Sequence, residues 1–196
     1  MKIERAVWFF VLTITGLRLA LLGTTDLQFD EAHYWMWSER LAPAYFSKGP
    51  GVAFAIRAST MIFGSNEFGV RFFSPLLGAG SSLLLFYLGR RMFNAAAALG
   101  AVIGLNATPI FNLGAFLMTI DPLSLFFWVA AMFSFWCVVE KSPKFSWHWP
   151  LTASLSVSGS CANTPMYLSC SPSSSFSRSS QSCGWNFGGR GFTSCC

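Results

Sequence analysis

Two adjacent acidic residues and a lysine lie in the segment that follows the first apolar run of the chain. These are Asp30, Glu31 and Lys48, and a further acid, Asp121, stands at the start of a later apolar run. A positioned carboxylate can act as a general base towards an attacking hydroxyl, and a cation can stabilise negative charge on a leaving group. These residue types therefore suit a group-transfer reaction, provided that the fold brings them to one face.

The composition is typical of a membrane protein. Hydrophobic residues make up 53% of the 196 residues and charged residues only 11%, whereas about 25% of the residues of a soluble domain are charged. The net charge of +5 is scattered through apolar sequence and forms no basic stripe, so we expect no nucleic-acid partner.

Four apolar runs predict an all-α membrane protein, a multi-span helical bundle with about four membrane-spanning helices. The first run fits a retained signal anchor better than a cleaved signal peptide, because Arg18 interrupts it and no small-residue cleavage site follows. The four runs cover residues 6–23, 76–88, 95–118 and 122–139, and the third contains Pro109.

Basic residues at the ends of the apolar runs predict the orientation of the chain. Short loops rich in Lys and Arg stay in the cytoplasm, because translocating them across the membrane is disfavoured. Residues 24–75 and the turn at Asp121 then face the outside together, so all four residues considered above share one compartment. The cytoplasmic side holds three basic pairs: Lys2 and Arg5, Arg90 and Arg91, and Lys141 and Lys144.

The outer segment is amphipathic rather than uniformly polar. Residues 31–41 and 51–63 both read as short helices, and Trp35, Trp37 and Tyr45 suit the lipid headgroup zone. We therefore expect interfacial helices that lie along the outer surface in this first outer loop.

Four motifs follow one another in the order FDEAHYWMWSERL, AYFSKGP, SNEFGVRFFSPLLGAGSSLLLFYLGRRMF and NATPIFNLGAFLMTIDPLSLFFW. In this order they resemble the N-terminal half of the polyprenyl-phosphate-sugar glycosyltransferases. That family includes the protein O-mannosyltransferases and the lipid A aminoarabinose transferases. The resemblance covers about residues 5–145.

The resemblance implies a multi-pass glycosyltransferase of the bacterial inner membrane whose active site faces the periplasm. Its sugar donor is a polyprenyl phosphate, and its acceptor is lipopolysaccharide, another glycan or a protein. Asp30 resembles the catalytic carboxylate with Glu31 beside it, Asp121 matches a second acidic position, and Lys48 resembles the lysine that meets the lipid phosphate. The substrate-binding residues expected from this resemblance are Tyr45, Lys48 and Arg71.

Each candidate residue also has a structural interpretation. An acid such as Asp30 suits the N-cap of a helix, and an acid before proline, as at Asp121, is a common helix start. Lys48 and Arg71 suit contacts with lipid headgroups at the ends of spans. His33 lies beside two acids, but one histidine without spaced partners is more typical of an interfacial residue. A divalent metal ion therefore stays open as a cofactor.

Two other classes of function compete with an enzyme. A transporter or channel subunit places ionisable residues in the middle of its spans, and a non-catalytic membrane scaffold needs no acidic pair. Only Arg18 lies inside a predicted span, whereas the acids lie at the outer ends. This distribution favours chemistry at the membrane surface.

The sequence changes character after Thr152. Residues 153–196 are rich in serine and hold five of the six cysteines, without a C-x-x-C pair. Serine codons of the UCN type, read one base out of frame, encode Phe, Leu, Ile or Val, so this stretch fits an apolar span in the wrong frame. We therefore interpret residues 1–152 as the N-terminal part of a transmembrane glycosyltransferase domain and residues 153–196 as a frameshifted, unstructured tail. We expect such a chain to be inactive as it stands.

Overall fold

The computed structural model describes residues 2–42, 45, 48–140 and 148–163. This part of the chain is helical and contains no strand, which confirms the all-α prediction. The helices are α1 (Lys2–Leu21), α2 (Phe29–Glu39), α3 (Gly51–Phe63), α4 (Glu67–Arg71), α5 (Phe73–Met92), α6 (Ala95–Ala107), α7 (Pro109–Gly114), α8 (Ile120–Glu140) and α9 (His148–Asn163).

Two stretches of the described chain are long and apolar enough to cross a membrane. They are Glu67–Met92, which consists of α4 and α5, and Ile120–Glu140, which is α8. Two further helices, α3 and α6, are apolar but shorter. The fold is therefore that of a helical protein with two candidate membrane spans.

The third apolar run is divided rather than continuous. Proline has no N–H to donate and its ring clashes with the preceding turn, so α6 ends at Ala107 and Pro109 occupies the start of α7. Thr108 closes the end of α6, since its backbone N–H and its hydroxyl both donate to Leu105 O, at 3.2 and 2.7 Å.

Helix α5 lies at the centre of the bundle and packs against α1, α6 and α8. Close packing requires small residues on its surface. A Cβ atom added to Gly78 would lie 2.8 Å from Ala115 Cβ, and one added to Gly80 would lie 2.7 Å from the Phe126 ring. These two glycines therefore allow the α7–α8 region to approach α5.

A hydrophobic cluster joins the outer segment to the bundle. Its buried members come from α2, α3, α4, the α7–α8 connection and the start of α8, so α2, α3 and α4 are anchored on the segment that leads to Asp121. The buried residues are Tyr34, Val52, Ile56, Val70, Met118, Ile120 and Leu123.

Helix α9 runs through the boundary that the sequence predicts at residues 152 and 153. Residues 153–163, which were assigned above to an unstructured tail, continue this helix to Asn163. Gly159 packs on α8, where an added Cβ would lie 3.3 Å from Phe127 Cβ. Residues 164–196, the rest of the predicted tail, lie outside the described residues.

Candidate active site

The first turn of α2 separates the two adjacent acids. An α-helix turns by about 100° per residue, so neighbouring side chains point in different directions. Asp30 is exposed, whereas Glu31 is fully buried. The N-cap of α2 is Gln28 rather than Asp30, and the Gln28 N–H donates to Glu31 Oε2 at 3.0 Å. The interpretation of Asp30 as an N-cap is therefore wrong.

Glu31 forms a buried ion pair with Arg71, and neither side chain is exposed to solvent. Arg71 Nη2 donates to Glu31 Oε2 at 2.6 Å, and Arg71 Nε lies 2.8 Å from Oε1. This two-pronged contact matches the planar guanidinium to the carboxylate. The pair connects α2 with α4, which precede and follow α3 in the chain.

Arg71 also holds the end of α1. Its Nη1 donates to Leu22 O at 3.2 Å and to Thr25 O at 2.8 Å, and its Nη2 donates to Asp26 O at 2.8 Å. The Phe116 ring lies 5.4 Å from the guanidinium carbon. The charge is thus surrounded by carbonyl oxygens that have no helical partner, which lowers the cost of burying it.

The same glutamate reaches the segment that carries Asp121. Met118 N–H donates to Glu31 Oε1 at 2.9 Å, three residues before Asp121. Ser74 fixes the preceding residues, since its hydroxyl lies 2.6 Å from Gly114 O and 2.9 Å from Leu117 O. The connection between α7 and α8 is therefore held from the buried side by α2 and α5.

Asp30 and Asp121 act on one tyrosine, Tyr34. Burial raises the pKa of the Tyr34 phenol, and the negative charges of Asp30 and Asp121 raise this pKa further. Asp121 is exposed, and Thr119 Oγ1 lies 3.2 Å from its Oδ2. The charges of two exposed carboxylates that are far apart in the sequence thus both act on one buried phenol.

Lys48 and Tyr45 follow α2. Lys48 is half-buried, and it forms no ion pair with another described residue. The Tyr45 ring stacks on Trp37 with a centroid distance of 4.5 Å. Its hydroxyl lies 2.8 Å from Trp37 O and accepts from Ala42 N–H at 3.1 Å, so Tyr45 closes the C-terminus of α2.

Metal ligands are not grouped in the described part of the chain. No three His, Cys, Asp or Glu side chains there lie close enough together to hold a metal ion. His33 is exposed on α2, and its ring packs edge-on against Trp37 at a centroid distance of 4.6 Å.

An apolar cavity of about 460 Å³ lies beside Asp121, between α5, α7 and α8. Side chains and small residues from all three helices line it, and Asp121 is itself one of the lining residues. Others are Ser81, Phe111, Gly114, Pro122 and Trp128. A carboxylate at the edge of an apolar cavity suits a ligand with one polar and one apolar end.

Sequence reasoning missed both this cavity and the Glu31–Arg71 pair. The cavity forms from helices whose packing is not visible in a single sequence. A signal for the pair was present, since Glu31 and Arg71 are charged residues in strongly apolar surroundings, and such residues are paired when they are buried.

Comparison with known families identifies the family of the chain. The family model described as dolichyl-phosphate-mannose-protein mannosyltransferase matches residues 47–164, more than half of the chain. The chain belongs to this family. The resemblance drawn from the sequence motifs is therefore confirmed.

Several longer curated proteins are similar to the chain. The lipid A galacturonosyltransferase RgtD of Rhizobium johnstonii is 38% identical over 90 residues, which cover 44% of this chain and 19% of that protein. The undecaprenyl phosphate-alpha-4-amino-4-deoxy-L-arabinose arabinosyl transferase of Edwardsiella ictaluri is 30% identical over 153 residues, 70% of this chain and 28% of that protein. The enzyme of the same description from Erwinia tasmaniensis is 30% identical over 112 residues, 56% of this chain and 20% of that protein.

The chain thus spans 19% to 28% of the length of these relatives. No solved structure is significantly similar to it.

Proposed function

We propose that the protein is the N-terminal, donor-binding part of an integral-membrane glycosyltransferase. It acts in transfer of a sugar from a polyprenyl phosphate to an acceptor outside the cytoplasm, with lipid A as the leading acceptor and other glycans or proteins as alternatives. The observation that carries the proposal is that the charges of Asp30 and Asp121 both raise the pKa of Tyr34, and that Asp121 also lines an apolar cavity. Family membership and the names of the relatives support the donor and acceptor classes.

Asp30 is the general base in this proposal. It is exposed in the first turn of α2, so an acceptor hydroxyl can reach it. The hydroxyl oxygen attacks the anomeric carbon of the sugar while its proton passes to Asp30. The bond from the anomeric carbon to the phosphate oxygen breaks, and its electron pair remains on the lipid phosphate.

Lys48 stabilises the departing phosphate. The leaving group gains negative charge as the bond breaks, and a cation placed where that charge develops lowers the barrier. Lys48 has no ion-pair partner among the described residues, so its charge is available. Asp121, which is exposed and lines the cavity, orients the sugar that lies between Asp30 and the cavity.

Glu31 and Arg71 position the site instead of touching substrate. Both side chains are fully buried and occupied by each other and by backbone groups, so a substrate would have to break this pair to reach them. Tyr45 has a comparable supporting role, because its ring and hydroxyl hold the end of α2.

The donor lipid occupies the apolar cavity with the first part of its isoprenoid chain. The phosphate then lies at the rim near Asp121, and Lys48 is the cation proposed to meet it. If a divalent metal ion takes part, Asp30 and Asp121 would be the carboxylates that hold it, and it would supply positive charge that stabilises the leaving phosphate.

The membrane placement follows the predicted topology. We propose that α1, α5, the divided pair α6–α7, and α8 are the four spans, with residues 24–75 and Asp121 on the periplasmic side. Helix α3 supports an interfacial position, because its outward face exposes Phe54, Met61 and Ile62 while its inner face is buried. A helix with such an exposed apolar stripe suits the headgroup boundary.

The test of this proposal is sugar transfer from a labelled polyprenyl-phosphate sugar in the Asp30→Asn variant. The assay uses the chain as it stands and a version whose reading frame is restored after Thr152. We expect the restored protein to lose at least about a hundredfold of its turnover, since general-base catalysis contributes 10²–10⁴-fold. Glu39→Asn is the matched control, because Glu39 is on the same helix and forms only an exposed pair with Arg57. Full turnover in Asp30→Asn would remove Asp30 from the mechanism.

A further inference from the structure

A buried arginine inside α1 has no part in the proposed reaction. Arg18 is only 7% exposed, and it belongs to none of the ion pairs that the described residues form with one another. Its Nη2 donates to Asn112 Oδ1 at 2.6 Å and to Asn106 Oδ1 at 3.3 Å. The Phe111 ring lies 5.6 Å from its guanidinium carbon. A buried cation held by neutral amides alone is costly, so it calls for an explanation.

Asn106 and Asn112 lie on the two sides of the break between α6 and α7. The break leaves backbone carbonyls without helical partners, and side chains must satisfy them where water is excluded. Asn112 Nδ2 donates to Asn106 O at 2.5 Å and lies 3.1 Å from Thr108 O. Asn106 Nδ2 donates to Ser82 Oγ at 3.0 Å.

Arg18 fixes the orientation of these amides. A guanidinium only donates hydrogen bonds, so each asparagine must turn its oxygen towards Arg18 and its NH₂ group away. The NH₂ groups then point to the carbonyls at the break and to Ser82. The arginine in α1 therefore determines which backbone groups Asn112 can satisfy in the next helix pair.

The chain that follows the break carries Asp121. It is held at three places before it reaches that residue: by Arg18 at Asn112, by Ser74 at Gly114, and by Glu31 at Met118. Only the first of these contacts comes from α1. Loss of the contact between Arg18 and Asn112 would therefore allow α7 to move relative to Ser74 and Glu31.

We propose that Arg18 is a positioning residue of the reaction centre, which holds the α6–α7 break through Asn112 and so places Asp121 relative to Asp30. The consequence for catalysis rests on the function proposed above, whereas the geometrical part does not. Arg18→Met keeps a flexible, unbranched stem about as long as the aliphatic part of the arginine and removes every donor. Asn112→Leu keeps the volume and removes the amide. Thr15→Val is the matched control, because Thr15 is a buried residue of α1 that bonds only to Val11 O.

The geometrical test measures the distance between two spin labels in the full chain, reconstituted in lipid nanodiscs. All six native cysteines are first changed to serine. The labels are then attached to cysteines introduced by Phe29→Cys and Ile110→Cys. Phe29 is 86% exposed beside Asp30, and Ile110 is 82% exposed on α7. The parent and Thr15→Val should each give one narrow distance population. We expect Arg18→Met and Asn112→Leu each to add a second, broader population.

A single unchanged population in both variants would overturn the proposal. If Arg18→Met does not insert into the membrane, Asn112→Leu alone decides the question, because it leaves the charge in place. Arg18→Lys is expected to restore part of the narrow population, since an ammonium can also donate from one nitrogen to both amide oxygens but sits on a shorter side chain.

The kinetic test uses the frame-restored protein and separates kcat from KM. A positioning role predicts that Arg18→Met lowers kcat about tenfold or more with little change in the KM for the donor, since misplaced groups act mainly on the transition state. Because both residues act through one contact, the double variant with Asn112→Leu should lose no more than Arg18→Met does alone. Additive losses would show that Arg18 does not act through Asn112. Normal turnover in Asp30→Asn would refute the proposed function while leaving the label distances to decide the role of Arg18.

Discussion

Replacing Glu31 by glutamine tests whether the buried pair of Glu31 and Arg71 supports the segments that carry the exposed acids Asp30 and Asp121. The change keeps the shape of the side chain and removes its charge. Glu31 accepts hydrogen bonds from three groups: the Arg71 guanidinium, Gln28 N–H and Met118 N–H. Glutamine has only one accepting oxygen, so its NH₂ group must face another donor.

The expected cost follows from burial. Removing one partner of a buried ion pair costs about 3–5 kcal/mol, because the other charge is left uncompensated in a water-free site. Arg71 retains its carbonyl contacts at Leu22, Thr25 and Asp26, which favours the lower end, about 3 kcal/mol. The exposed pair between Arg57 and Glu39 provides the comparison, and its loss in Glu39→Gln should cost about 0–1 kcal/mol.

The assay is unfolding of the reconstituted protein, followed by helix content against denaturant, for both glutamine variants. A third variant replaces Glu31 and Arg71 together by methionine. It should regain much of the stability, since a buried pair can be exchanged for apolar residues at little cost, but it should not regain activity, because the bond to Met118 N–H is absent. Equal stability of Glu31→Gln and Glu39→Gln would refute the assignment of Glu31 as a buried anchor.

Two further predictions concern the phenol and the cavity. The pKa of Tyr34 is raised in the folded protein, so the stability that the neutral phenol contributes is complete below the ordinary value of 10.0 and is lost as pH rises above it. The free energy of unfolding should therefore fall less steeply with alkaline pH in Tyr34→Phe than in the parent. An identical pH profile in the two proteins would contradict this. Gly114→Leu directs a side chain towards the cavity, where an added Cβ meets only Pro122 at 4.0 Å, and should raise the donor KM about tenfold, or about 1.4 kcal/mol. Gly100→Leu, at a position open to its surroundings, should leave that KM unchanged.

Local sequence patterns predict the helices and the residues that could do chemistry. Apolar runs identify the long helices, and the family motifs point to Asp30 and Asp121, whose charges the structure brings to one tyrosine. The catalytic roles of these residues stay predictions. Pro109 was recognised inside the third run, but a proline can bend a helix or end it, and the asparagines that stabilise the break are contributed by tertiary contacts.

The different environments of Asp30 and Glu31 arise from contacts with distant residues. Arg71 is 40 residues from Glu31 in the chain, and Met118 is 87 residues away. No periodicity within α2 indicates which of two adjacent acids meets such partners. The sequence therefore identifies the acidic pair but not the division of roles within it.

Under the function proposed above, this division gives each of the two consecutive acids a separate role. A reactive carboxylate must remain accessible to its substrate, so it cannot also be tied into the core by several hydrogen bonds. Glu31, the next residue, makes these hydrogen bonds instead. It accepts from Gln28 N–H at the start of α2 and from Met118 N–H in the segment before α8. Glu31 thus links the turn that carries Asp30 to the segment that leads to Asp121. A change in Glu31 should move the two exposed acids relative to each other even when both are intact.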